Sequence, residues 1–354
     1  MLYQSKNPHG GDLYSIPICL DFSANTNPFG TPDSIKQELI KCADHLHQYP
    51  DPFCRDLVAA IADFEKLPKE NIICGNGAAE LIFSFCQALK PKHALELAPT
   101  FSEYSAALES VDCQVERYIL KKENDFKLDE NFLDFLQQGQ WDVLFLCNPN
   151  NPTAQTISPK LLEKIVEICY EENIFLFLDE CFQDITDDNA AYSMKNFLSK
   201  NPYLFILKAF TKSYGMAALR LGYGLCGNTN LLSMMSRSVQ SWNVSLPAQK
   251  AGIAALKEKE FLSKTKTVIK QEREWLREQL QQLQFYVLPS QVNYIFFHSD
   301  VELHSKLLKQ GIQIRDCSNY YGLSKGWYRI AVKLHEQNVE LIQAIKKIQE
   351  GRDE

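Results

Sequence analysis

The chain has 354 residues, more than one hydrophobic core usually serves, so a large domain with a smaller companion is the first expectation. Its 45% hydrophobic and 23% charged residues are ordinary for a globular protein, and a net charge of −7 disfavours nucleic acid as a partner. No run reaches the ~20 apolar residues of a bilayer span and MLYQSKNPHGG lacks an export signal, so eleven cysteines without a Cys-x-x-Cys pair read as reduced cytoplasmic thiols, with no metal site and no membrane partner.

Residues 1–30 read as an irregular arm ending in Ser23-Ala24-Asn25-Thr26-Asn27-Pro28-Phe29-Gly30, where Asn-Pro and Phe-Gly mark turns. Thr31 and Pro32 suit the cap and first position of a helix over DSIKQELIKCA. From about 70 to 228, short apolar runs (NIIC, HALELA, DVLFLC, IFLFLD, LFILKAF, LGYGLC) alternate with helical stretches such as AAELIFSFCQALK and SPKLLEKIVEICYEEN. In the latter, Ser158-Pro159 caps the start, and Leu161, Leu162, Ile165, Ile168 and Cys169 recur at helical spacing. Strands this uniformly apolar are buried on both faces, which predicts an α/β fold with a mostly parallel, doubly wound sheet. A long charged helix follows about residue 255. Strands at QFYVLP, NYIFFH and WYRIAV and helices at ELHSKLLKQ and VELIQAIKKI then predict a smaller α+β domain. The division is an arm over 1–30, a large domain over 31–255 and a small domain over 256–354.

Doubly wound sheets bind ligands outside their strand ends, so the polar residues there carry the functional reading. After NIIC comes Gly75-Asn76-Gly77-Ala78-Ala79-Glu80, opening a helix whose exposed N–H groups suit a phosphate. After DVLFLC comes Asn148-Pro149-Asn150-Asn151-Pro152-Thr153, and after IFLFL come Asp179 and Glu180. After LFILKAF come Thr211, Lys212 and Ser213, with Arg220 eight residues beyond the lysine. Each piece alone is an ordinary turn, cap or surface lysine. Their order along one sheet matches the needs of pyridoxal phosphate. Its aldehyde needs an amine, its ring nitrogen a buried carboxylate, and its phosphate backbone N–H groups, a hydroxyl and an arginine.

The set SANTNPFG, GNGAAE, NPNNPT, FLDE, TKSYG and LRLGY resembles the fold-type I, pyridoxal-phosphate-dependent class I/II aminotransferase superfamily over nearly the whole chain. The resemblance implies the aspartate-aminotransferase-like fold. It makes Lys212 the Schiff-base lysine and Asp179 the partner of the pyridinium. Asn151 would hydrogen-bond the ring oxygen, while Thr211, Arg220 and the backbone of Gly77, Ala78 and Ala79 would hold the phosphate. Phe101, in PTFSEY, would stack on the ring; its plain alternative is a core aromatic. Tyr49, in QYPDPF, resembles the tyrosine lent to a neighbouring subunit's cofactor phosphate, which implies a homodimer; alternatively it simply forms a turn. Two positions depart from the pattern. Ala154 replaces the usual glycine after NPT, which asks whether that backbone needs a positive φ, and Cys181 replaces the usual alanine after Asp-Glu.

On the substrate side, Arg329 in Trp327-Tyr328-Arg329-Ile330 follows the pattern of the arginine that grips the α-carboxylate, a task suited to a planar guanidinium. Arg315 stands fourteen residues earlier, and two arginines in one pocket imply a dianionic, phosphorylated amino-acid substrate. His9-Gly10-Gly11-Asp12, Asp21-Phe22-Ser23-Ala24-Asn25 and IRDCSNYYGL resemble the branch that decarboxylates threonine phosphate for the nucleotide loop of cobalamin. The neighbouring branch transaminates histidinol phosphate. The former implies that His9, Gly10 and Asn25, with Asn151, bind substrate. Phe182 stands where the latter branch has a tyrosine donating to the ring oxygen. Transamination of a phosphorylated amine and a non-catalytic regulator built on this fold are the alternatives.

Overall fold

The computed structural model describes residues 9–15, 17–188 and 192–351; the first eight residues of the expected arm lie outside them. Seven strands form the main sheet, in the order Ile72–Asn76, Leu221–Cys226, Leu204–Ala209, Phe175–Asp179, Val143–Cys147, His93–Ala98 and Gln114–Ile119. The pairings are parallel except on the two sides of Leu221–Cys226, which alone runs backwards. This reversal matters for the site. The start of a reversed strand lies at the carboxyl edge of its neighbours, so Arg220 joins Asp179 and Lys212 there.

Alternation along the strands sends successive side chains to opposite faces. Leu144, Leu146, Leu176, Leu178, Leu204 and Ile206 enter one apolar cluster, while Phe145, Phe177, Phe205 and Leu207 enter another. Phe145, Phe177 and Phe205 are neighbours in register on adjacent strands. Their rings stack at 4.6 and 5.0 Å. All three are fully buried, each worth roughly 1.5–3 kcal/mol of transfer free energy.

The helix Pro159–Glu171 begins as the sequence expects, with the Ser158 hydroxyl accepting from the Leu161 N–H at 3.3 Å. The first helix starts one residue later than expected. Pro32 is its cap, and the Thr31 hydroxyl donates instead to the Gly215 carbonyl at 2.7 Å, tying the arm's end to the turn after Lys212. The edge strand Gln114–Ile119 was not among the expected strands. Its charged, half-exposed alternation (QVERYI) hides it among loops, and polar side chains suit an edge that has a neighbour on one side only.

The long helix spans Lys259–Gln282 and leads to a four-stranded antiparallel sheet, ordered Arg315–Asp316, Trp327–Ala331, Tyr294–His298 and Tyr286–Val287. The arm belongs physically to this end. Leu20–Asp21 pairs in parallel with Ile312–Gln313, the Ala331 N–H donates to the Phe22 carbonyl at 2.8 Å, and Phe22 is buried among Ile295, Ile314 and Ile330. Among the described residues no helix is long and apolar enough to cross a membrane. All eleven cysteines are unpaired.

Candidate active site

At the carboxyl edge of the main sheet lies a cavity of about 320 Å³. Its lining contains His9, Gly10, Asn25, Ala78, Ala79, Phe101, Asn151, Asp179, Thr211, Lys212, Arg220, Arg315 and Arg329. Two of the expected residues stand apart. Gly77 lies beneath the guanidinium of Arg220, and Tyr49 is 79% exposed and outside the cavity lining, its ring tilted against that of Trp242 at 4.6 Å.

Lys212 rides on a one-turn helix, Phe210–Ser213, that follows directly from its strand. Buried Phe210 anchors the turn below, and Asn27 Nδ2 donates to the Ser213 carbonyl at 2.7 Å. Desolvation in the cavity, aided by the charges of Arg329 and Arg220, pushes the lysine down to about 8, so a neutral amine is accessible near physiological pH. Its Nζ lies 5.6 Å from the centre of the Phe182 ring.

Asp179 ends its strand 5% exposed, and burial pushes its carboxyl up from the ordinary range. Three hydrogen bonds oppose that shift: from the Cys181 thiol, from the Tyr104 hydroxyl at 2.6 Å and from the Cys181 N–H at 2.9 Å. Tyr104 is itself fully buried against Phe145, and the sequence reading passed over it. The available signal was its place in the first turn of the helix that follows Phe101. Asp179 lines the cavity wall beside Lys212, whose charge also opposes the upward shift from burial.

The helix Gly77–Leu89 points its N-terminus at the same space, where the Asn76 side chain makes no cap bond and Glu80 accepts from the Asn76 N–H at 2.7 Å. Gly77 has φ +81°, and a Cβ there would stand 2.6 Å from the Arg220 guanidinium, so only glycine lets the arginine lie across the helix start. Thr211, with its hydroxyl, lines the same cavity.

The opposite wall is built from the arm and the small sheet. Arg329, 6% exposed, donates to Asn151 Oδ1 and, at 2.7 Å, to the Ser23 carbonyl. These contacts fix the plane of its fork and leave the amide NH₂ side of Asn151 as a donor. Arg315 pairs directly with Arg329 across two antiparallel strands and donates to Asn319 Oδ1 at 2.6 Å. His9 Nε2 lies 2.7 Å from Glu103 Oε1, and its ring is 5.7 Å from that of Phe101. Ser23, Ala24, Ile82, Cys147, Cys181, Phe182, Ala209 and Tyr320 complete the lining. Most are small or apolar, and only position in the fold makes them site residues. Ala154, at φ +62°, does occupy the left-handed region that the missing glycine suggested.

These residues fit pyridoxal phosphate. One cavity offers a lysine amine lowered toward neutrality, a buried carboxylate, a helix start crossed by an arginine and an aromatic side chain.

The family profile for aminotransferase class I and II matches residues 17–345. Threonine-phosphate decarboxylase of Salmonella typhimurium is 35% identical, covering 98% of each chain. Histidinol-phosphate aminotransferase of Methanococcus aeolicus is 30% identical over 93% of this chain and 90% of its own. The crystal structure of histidinol-phosphate aminotransferase from Clostridium acetobutylicum superposes with a TM-score of 0.87 at 27% identity, covering 94% of this chain and 99% of that one.

Proposed function

This chain belongs to the aminotransferase class I and II family, and from that premise we propose that it is a pyridoxal-phosphate-dependent decarboxylase of threonine O-3-phosphate. The products are 1-aminopropan-2-ol O-phosphate, for the cobalamin nucleotide loop, and carbon dioxide. The observation that carries the reading is the register pair Arg315 and Arg329, both lining the cavity. Like charges directly opposite each other in a sheet destabilise it. A pair kept there and turned to one cavity suits a ligand with two anionic groups, and an amino acid bearing a phosphate is such a ligand. Greater identity to a threonine-phosphate decarboxylase than to a histidinol-phosphate aminotransferase supports the same choice.

When bound, pyridoxal phosphate supplies an aldehyde for the substrate amine and a protonated ring that takes up the electron pair left when the carboxylate departs. Lys212 would hold its aldehyde, Asp179 would keep the ring nitrogen protonated, and Asn151 would donate to the ring oxygen. Phe101 would cover a ring face. Thr211, Arg220 and the amides of Gly77, Ala78 and Ala79 would bind the cofactor's phosphate. Arg329, its fork fixed by Asn151 and Ser23, would orient the substrate carboxylate. Arg315, His9, Gly10 and Asn25 would take the substrate phosphate. Lys212, in its ammonium form, would deliver the proton that replaces carbon dioxide on Cα and be left as the neutral amine.

The same reading takes 31–255 as the cofactor-binding domain and 256–354 as the small domain, with the arm over the substrate. It also takes the active unit as a cytoplasmic homodimer. The exposed Tyr49–Trp242 pair supports a surface that a second copy covers, with Tyr49 reaching the neighbouring site.

The test is incubation of the purified holoenzyme with threonine phosphate. We expect carbon dioxide release with no keto-acid partner; strict dependence on 2-oxoglutarate would sink the decarboxylase in favour of an aminotransferase. Lys212→Ala should abolish both turnover and the borohydride-reducible colour.

A further inference from the structure

His9 owes its place over the cavity to contacts with both sides of the molecule. On its C-terminal side, Gly10 packs so closely on the arm's return that a Cβ would stand 2.6 Å from the Ser23 carbonyl. The Gly11 N–H donates to Ser23 Oγ at 2.7 Å, and Ser23 Oγ donates to Asp21 Oδ1 at 2.6 Å. The Ser23 carbonyl is also the acceptor for Arg329. These contacts fix the backbone of the arm relative to the small sheet. They do not fix the imidazole.

The imidazole is held from the other side, by Glu103. This residue opens the helix Glu103–Glu109 two positions after Phe101, and its Oε1 is 2.7 Å from His9 Nε2. Both partners are half-buried, with side-chain exposures of 34% for His9 and 23% for Glu103. The hydrogen bond from His9 holds the Glu103 carboxyl below its ordinary range, so the acceptor is a carboxylate at neutral pH. A carboxylate accepting at Nε2 decides which ring nitrogen carries the proton there, and it decides which ring edge turns to the cavity.

We propose that Glu103 is the positioning residue for phosphate recognition: it orients the His9 imidazole toward the substrate's phosphate and so sets the preference for phosphorylated over unphosphorylated amino acids. Glu103 is absent from the cavity lining and acts through His9 alone. The inference rests on the reading of the ligand as a phosphorylated amino acid. It predicts an effect confined to ligands that carry the phosphate.

The experiment is a double-mutant cycle on the holoenzyme, read as the KM of threonine phosphate from initial rates and as equilibrium binding of threonine through the absorbance change of the bound cofactor. An unaltered cofactor spectrum in each variant certifies the fold. Glu103→Ala should weaken threonine phosphate about tenfold, the scale of one charge-assisted hydrogen bond, and leave threonine within about twofold. Glu103→Gln, which keeps an acceptor, should recover part of the loss. In a His9→Ala background, Glu103→Ala should add nothing. Equal weakening of both ligands, or full additivity in the double variant, would overturn the proposal. The functional reading fails separately, if the wild-type enzyme binds threonine phosphate but releases no carbon dioxide from it.

Discussion

The cavity's floor is made of strand ends and one helix start, set in a sheet whose two faces are sealed by separate apolar clusters. Its roof is made of His9, Gly10, Ser23, Ala24, Asn25 and one edge of the small sheet, with side chains held by hydrogen bonds such as His9 to Glu103 and Arg329 to Ser23. Dense packing holds Lys212 and Asp179 in place before any ligand arrives, which is what transition-state chemistry requires. At the roof the Arg329–Ser23 contact is buried while the His9–Glu103 contact is partly solvated, so the roof is firm at its base and suits closer fitting to a substrate at His9. Floor substitutions should therefore collapse turnover, and roof substitutions should chiefly raise the substrate concentration required.

The largest effect is expected at the floor. Asp179→Asn keeps the shape and the Cys181 N–H contact but removes the negative charge that would hold the ring nitrogen's proton. We expect kcat to fall by about three orders of magnitude, on the scale of removing a preorganised electrostatic partner, with the cofactor still bound and reducible by borohydride. A kcat within tenfold of wild type would mean that floor and roof do not divide the work in this way.

A second test uses the pH dependence of Lys212. A lysine at about 8 is roughly a tenth neutral at pH 7, whereas one at the ordinary value of 10.5 is neutral only about three times in ten thousand. The rate at which apoenzyme captures pyridoxal phosphate, followed by absorbance, should rise with pH and level off above about 8. The linkage has the matching sign. Because folding lowers this group's pKa from 10.5, the apoenzyme carries a stability penalty that is full below about 8 and fades as pH rises toward 10.5. A capture rate still climbing steeply at pH 10 would show that the cavity does not desolvate the amine.

At the roof, Arg329→Ala removes donors held by Asn151 and Ser23. Loss of a bidentate, charge-assisted contact should raise KM by about 10–100-fold. The kcat should fall less than in Asp179→Asn. Arg329→Lys should recover little, because an ammonium cannot reproduce the fork. An unchanged KM would place the carboxylate elsewhere.

The same division decides how much could be read from the sequence. Floor residues announce themselves, because each follows an apolar run whose strand character is plain: Asp179 after IFLFL, Lys212 after LFILKAF. Arg220 fitted the pattern although it precedes its strand, and the reversal of Leu221–Cys226 is what puts it at the right edge. The roof has no such local signal. His9, Asn25 and Arg315 lie in irregular segments or a two-residue strand, and only resemblance pointed to them. Tyr104 and Glu103 went unnoticed because their importance lies in contacts with residues 75 and 94 positions away. Thr31 was misread as a cap because its true acceptor, the Gly215 carbonyl, is 184 residues distant. Local chemistry names caps well only when the competing partner is also local.

The smallest effect is expected at Ala154, on the floor's margin. Its φ of +62° costs a residue with a Cβ about 1–2 kcal/mol, which glycine would avoid. Yet its methyl is buried against Phe182, Ile185 and Tyr294, and deleting it forfeits about 0.8 kcal/mol of burial. Glycine also loses roughly 0.5–1 kcal/mol more backbone entropy on folding. The terms nearly cancel, so Ala154→Gly should shift the melting temperature by less than about 2 °C, the scale of one kcal/mol in a chain this large. A rise of several degrees would mean that the strain dominates and that alanine is retained for a functional reason. A fall of several degrees would mean that the methyl supports the Phe182 wall beside Lys212, and that floor packing extends further than its strand ends.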